Sequence, residues 1–195
     1  MRVHLYRGKP VNKADYTLYE PNVFNEGFVY GSLIVKGKKH YICIGVVGAK
    51  LNCLINNATV TLVEVIPETV GEYTNLTDCH DKMIFEGDIV QYSTYDDFDC
   101  QSIVKFGEYK QDGSDGEYKA SDCLGFYVEV DNFTCPDWCD NEPERFHDYL
   151  KQQSLAEIAS QCEIIGNIYD NPELLEVEKW TTKQCMKKKK KLLTK

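Results

Sequence analysis

The densest chemical spacing in the chain is Cys135-Pro136-Asp137-Trp138-Cys139. Two thiolates at C-x3-C spacing, with Cys79, His80 or His147 as further donors, are natural zinc ligands. A zinc ribbon needs a second close pair, and the sequence has none. Two loop cysteines with Trp138 packed on the body is the plainer reading, and no metal is assigned. Asp96, Asp97, Asp99, Asp112, Asp115, Asp137, Asp140 and Glu142 could gather a divalent cation. None follows the alternating ligand order of an EF-hand loop, so they read as solvated acidic loops. Asp78, Cys79 and His80 are adjacent. A nucleophilic Cys and its His usually meet from distant positions, and adjacency in a strand connector points them apart. No G-x-G-x-x-G, Walker-type or H-E-x-x-H motif is present. No catalytic residue and no cofactor is assigned, and the expectation is a non-enzymatic protein.

The other chemically distinctive feature is the end of the chain. Lys183, Lys187, Lys188, Lys189, Lys190, Lys191 and Lys195 stand there with no acid among them. Without those seven lysines, 15 basic residues face 31 acidic ones, a balance of about −16 against the formal −9 of the whole chain. So acidic a body repels a phosphate backbone. Lys187–Lys191 is therefore the one candidate nucleic-acid contact, and no aromatic-interleaved basic strand supports it. The plainer reading is a solubilising terminus or a tether.

These side chains need a scaffold, and composition permits one. At 195 residues with 43% apolar and 12% aromatic content, the chain can build a core. No apolar run approaches the roughly 20 residues of a membrane-spanning helix. Met1–Arg7 lacks the apolar run of a secretory signal. A soluble cytosolic protein with no membrane partner is expected. Nine cysteines without such a signal read as reduced thiols, several of them small buried hydrophobes (Cys43, Cys123, Cys162).

Along the chain, Val3–Tyr6 reads as a short strand and Gly8–Asn25 as a turn-rich arm whose Tyr16 and Tyr19 are too apolar to leave exposed. Phe28–Val35 and Tyr41–Val47 flank Lys36-Gly37-Lys38-Lys39 and read as a β-hairpin. Thr59–Ile66 is a strand in which Val60, Leu62 and Glu64 alternate with Thr61, Val63 and Val65, and Pro67 ends it. Further strands are expected at Val70–Thr74, Met83–Val90 continuing to Tyr95, Ser102–Phe106 ending at Gly107, Leu124–Val130 and Glu163–Tyr169. Lys110–Gly116 reads as a loop. Phe146, Tyr149 and Leu150 share one face of a helix over Glu144–Gln153, and Ser154–Ser160 either extends it or forms a strand. Asn171-Pro172-Glu173 is a helix start: Asn as N-cap, Pro at the first position, Glu facing the dipole. That helix would run to about Met186.

The stretch on which the chain is organised is Thr69–Val90. Val70, Tyr73, Leu76, Ile84, Phe85, Ile89 and Val90 seek a core, and Asn75–Lys82 connects them. Val70-Gly71-Glu72-Tyr73-Thr74, Leu76, Asp78 and Ile84-Phe85-Glu86-Gly87-Asp88-Ile89-Val90 resemble the signature of the YopX family, small proteins of bacteriophages and prophages. Ile164-Ile165-Gly166-Asn167-Ile168-Tyr169-Asp170-Asn171-Pro172-Glu173-Leu174-Leu175 is a second match, and Gly31–Pro67 resembles the longer members. The resemblance transfers no catalytic residue. It implies phage or prophage origin, a bacterial host cytosol and self-association. The lysine-rich end and the many cysteines depart from the usual pattern.

The expected fold is mainly β (α+β): a small antiparallel barrel-like body, closed by Glu163–Tyr169, with a short helical insertion and a C-terminal helix. Its parts are an arm and hairpin region (1–67), a YopX-like β core (68–171) and a helix with the lysine tail (172–195). The expected function is that of a phage or prophage accessory protein that binds a host or phage protein, as a homo-oligomer. Tyr16, Tyr19, Trp138 and Trp180 are the candidate protein interface, because Trp and Tyr dominate interface energetics. The alternatives are a small β-barrel that binds nucleic acid through Lys187–Lys191, and a binder of a small host signal nucleotide.

Overall fold

The computed structural model describes residues 3–12, 24–47, 59–93, 99–111, 119–134 and 152–175. Among these residues the protein is mainly β, with two antiparallel sheets and one short helix. The chain divides into two compact units, one of Met1–Asn75 with Met83–Glu86 and one of Leu76–Lys82 with Gly87–Lys195.

The first unit is built on β1 (Tyr6–Gly8), β2 (Phe24–Asn25), β3 (Phe28–Lys36), β4 (Lys39–Val47), β5 (Thr59–Val65), β6 (Gly71–Thr77) and β7 (Met83–Phe85). Their order is β5-β4-β3-β1-β6-β7, with β2 paired to β3. Leu76 and Thr77, the end of β6, are grouped with the second unit. Turn chemistry sets the hairpins. Glu26 and Gly27 both take positive φ (51° and 79°) between β2 and β3, as a two-residue turn matching strand twist requires. Gly37 (φ 63°) leads the β3–β4 turn at Lys36–Lys39, where the sequence places it. Leu33, Ile42 and Val63 stand in register across β3, β4 and β5. Val29, Ile42, Val63 and Val65 form the core, with Tyr6, Leu33, Ile44 and Val70 against it. Beyond β1 the chain folds onto β5. The Val11 N–H donates to the Glu64 carbonyl (2.9 Å) and the Ile66 N–H to the Lys9 carbonyl (2.8 Å). Gly8 permits the approach, since a Cβ there would lie 3.0 Å from that of Val65. Pro67 ends β5 and opens a 3-10 turn, Pro67–Thr69.

The second unit is built on β8 (Asp88–Ser93), β9 (Asp99–Gln111), β10 (Ser121–Thr134), β11 (Gln152–Ser154), the single-turn helix α1 (Leu155–Ile158) and β12 (Glu163–Asn167), in the order β11-β10-β9-β8-β12. Ile89, Val90, Tyr92, Cys100, Val104, Val128, Leu155, Ile158 and Cys162 are buried. Burial pushes the Cys100 thiol up to about 12. Burial, then the negative charge of Asp78, does the same to Cys162. Both stay protonated and behave as small hydrophobes.

The expected barrel does not form. Among the described residues no ladder joins the sheet ends: β12 pairs with β8 alone, and the opposite edge is the three-residue β11, too short to close a sheet. Of the expected helical insertion, residues 144–151 lie outside the described residues, and Gln152–Ser154 is a strand because it pairs with Tyr127–Glu129 of β10. A single-turn helix follows Ser154, at Leu155–Ile158. Met83–Val90 is two strands rather than one, broken where Gly87 turns at φ 83°. β9 and β10 run well past their expected ends, because Gly107 sits in the ladder opposite Gly125 instead of ending it. Of the expected C-terminal helix only Pro172–Leu175 is described, as a 3-10 turn.

Candidate interaction surfaces

Asp78 is the residue in the Asp78-Cys79-His80 run whose chemistry matters, and its role is structural. One carboxylate oxygen accepts the backbone N–H groups of His80 (2.9 Å) and Lys82 (2.9 Å), the other that of Ile164 at the start of β12 (3.1 Å). The group is buried. Burial alone pushes its pKa up; the donors Lys82, Ile164 and His80, with the His80 charge, outweigh it and hold the carboxyl below its ordinary value. Cys79 is exposed, and its N–H donates to the Cys162 carbonyl (2.9 Å). His80 approaches Glu163 at 3.7 Å on the surface.

The second long motif meets the first. Asp88 and Ile89 stand in register with Asn167 and Gly166. The Gly87 N–H donates to the Val104 carbonyl (2.9 Å), and the Gly87 carbonyl accepts from Ile168 (3.0 Å). A Cβ on Gly87 would lie 3.2 Å from the Tyr169 ring. The Asn167 side chain accepts the N–H groups of Tyr169 and Asp170, both at 3.0 Å, and donates to the Asp170 carboxylate (3.0 Å). Asn171 turns its carbonyl oxygen back toward the Asn167 N–H (3.4 Å). The two signatures thus encode one hydrogen-bonded junction in the second unit.

In the first unit, signature residue Phe85 serves the core. The Arg7 guanidinium lies over the rings of Phe28 (4.5 Å) and Phe85 (4.9 Å) and donates to the Glu86 carbonyl (3.3 Å). Tyr30 and Tyr73 each pack on Phe85 with ring centroids 5.4 Å apart.

Among the described residues two apolar faces stand out on the surface. On the first unit, Ile34, Val60 and Leu62 are 40%, 46% and 43% exposed. Register sets Ile34 beside Tyr41 and Leu62 beside Cys43, on the side of β3–β5 away from the core. On the second unit, the outer half of the β9–β10 hairpin presents Phe106 (48% exposed) and Leu124 (72% exposed). Phe106 packs edge-on against Phe126, centroids 5.0 Å apart. Period-2 alternation puts Phe106, Glu108, Lys110, Asp122, Leu124 and Phe126 on one face. Nearer the base, the same face carries the buried Val104 and Val128, so an apolar stripe runs out of the core onto the surface.

Tyr16, Tyr19, Trp138 and Trp180 lie outside the described residues, as do Cys135, Cys139, His147 and Lys187–Lys191. Among the described residues no group of three or more His, Cys, Asp or Glu side chains is placed to hold a metal ion. No described helix is long and apolar enough to cross a membrane. Phe106 and Leu124 were not legible as surface positions. Each lies in an apolar strand pattern, and only the length of the hairpin carries them past the core.

The junction and the Phe85 core give physical roles to Tyr73, Asp78, Phe85, Gly87, Asn167 and Asn171 of the two signatures. No curated protein matches the chain. The family described as YopX protein matches residues 35–176, more than half of the sequence, and the chain belongs to the YopX family.

Proposed function

We propose that the protein is a phage or prophage accessory protein of the bacterial cytosol that acts by binding other protein chains, including copies of itself, and not by catalysis. The observation that carries this reading is the pair of apolar faces, above all Leu124 and Phe106 on the β9–β10 hairpin. Large exposed apolar side chains aligned by register on one sheet face favour a partner, because leaving them in water costs free energy and invites aggregation. The buried polar groups described above support the same reading, since hydrogen bonds that hold the fold occupy them. The test is light scattering coupled to size exclusion on the full chain, alone and with bacterial host lysate. Leu62→Asp and Leu124→Glu are run beside it. A defined assembly that either substitution dissolves supports the reading. A monomer that co-elutes with no protein would overturn it.

A further inference from the structure

We propose that the open edge of β5, at Val60–Leu62, is a strand-addition site for an extended, uncharged segment of another protein. The proposal rests on the protein-binding reading above and names how such a partner is held.

β5 ends its sheet and pairs with β4 along one side. Along the other, the Glu64 carbonyl accepts from Val11 (2.9 Å) and the Ile66 N–H donates to Lys9 (2.8 Å), around an isolated antiparallel bridge of Pro10 with Val65. Glu64 and Ile66 therefore turn their backbone groups away from β4. Backbone direction alternates along a strand, and the register shift in this pairing puts its extra residue on β4, between Cys43 and Gly45. Val60 and Leu62 thus face the same way as Glu64. The pairing with Lys9–Val11 stops at Glu64. Among the described residues nothing takes up the outward N–H and C=O groups of Val60 and Leu62.

Natural sheets blunt such an edge with charge, proline or a bulge. Thr59-Val60-Thr61-Leu62-Val63 has neither charge nor proline, and the bulge lies on β4. This stretch offers about 17 Å of edge, in line with the strand pairing that Lys9–Val11 already makes. Its chemistry selects the occupant. Main-chain hydrogen bonds give an added strand its affinity, and alternate side chains give selectivity. Those standing beside Val60 and Leu62 meet apolar surface, 46% and 43% exposed. The one charged side chain of β5, Glu64, is engaged by Lys39 (3.0 Å). A charged residue on the added strand would find no free counter-charge on β5, whereas β-branched and apolar residues would pack.

The probe is a fluorescein-labelled hexapeptide of alternating Thr and Val, N-methylated at every second residue. One of its edges keeps its amides, and it cannot build a sheet with itself. It is titrated with the full chain and followed by fluorescence anisotropy, beside a control peptide N-methylated at every residue. The first peptide should bind saturably and the second should not. Leu62→Pro removes the N–H that faces the added strand and none that bonds β4, so it should fold and bind at least about tenfold more weakly. Val60→Lys sets a charge on the edge, should weaken binding as much, and serves if the proline variant fails to fold. Thermal melts of both variants report folding. No saturable binding by the parent, equal affinity of parent and folded variants, or equal binding of the two peptides would overturn the strand-addition site. An assembly or a partner found by light scattering beside any of these results leaves the protein-binding reading standing, so the two fail separately.

Discussion

The Asp78 carboxylate accepts the backbone N–H of Ile164 across 86 residues of sequence, at 3.1 Å. One side chain thereby ties the connector after β6 to the start of β12, and it satisfies two connector donors, His80 and Lys82, at the same time. The Asp in the first signature is a clasp for the segment that opens the second.

Removing the clasp should be costly. Asp78→Ala strips three backbone donors of a charged acceptor in a largely buried place. Hydrogen bonds to charged groups and the penalty for stranded donors together suggest a loss of about 2–4 kcal/mol. Asp78→Asn, which keeps one acceptor oxygen, should lose about half. Urea denaturation of the full chains measures both, and a loss under about 1 kcal/mol for the alanine variant would contradict the clasp.

The same group gives a pH dependence with a definite sign. Its folded pKa lies below the unfolded value, so it contributes stability that is fully present above the unfolded carboxylate range, about 3.9. That stability is lost as pH falls through the folded value. The urea midpoint of the parent should therefore drop between about pH 5 and pH 2 more steeply than that of Asp78→Asn. Parallel curves would show that Asp78 is not the group involved.

Two glycines separate conformational demand from space. Gly87 holds φ 83° and has Tyr169 3.2 Å from where a Cβ would stand, whereas Gly125 has nothing within 4 Å of that point. Gly87→Ala should cost about 1–3 kcal/mol, and Gly125→Ala, in an extended strand, should be neutral or slightly stabilising. Chemical denaturation compares them, and equal effects would contradict the strained turn.

Arg7 tests the first unit. Its planar guanidinium reaches two rings, those of Phe28 and Phe85, at 4.5 and 4.9 Å. Lysine keeps the charge but cannot stack as a plane, so Arg7→Lys should cost about 1–2 kcal/mol. An unchanged denaturation midpoint would show that charge alone suffices.

Legibility in the sequence followed locality. The Gly37 turn, the alternation of β5 and the stop at Pro67 are local matters of φ, period and a missing donor, and they read correctly. The barrel was not local. Closure depends on which strands end as edges, and neither the shortness of β11 nor the solitary β8–β12 pairing shows in the composition of those segments. Gly107 misled because glycine marks both turns and ladder positions, and only its partner Gly125 decides between them. Phe106 and Leu124 read only as the ends of expected strands, and their exposure was hidden for a related reason. Alternation fixes a face, while the length of the hairpin fixes whether that face is covered.

The central claim is that the protein works by binding through exposed apolar sheet faces. Light scattering on the full chain across a hundredfold range of concentration, beside Leu124→Glu, tests it most directly. The account predicts a parent mass of two or more chains that falls toward one chain on dilution, and a variant that is monomeric at concentrations where the parent is not. A parent and variant of identical mass at every concentration, with no protein partner in host lysate, would contradict it.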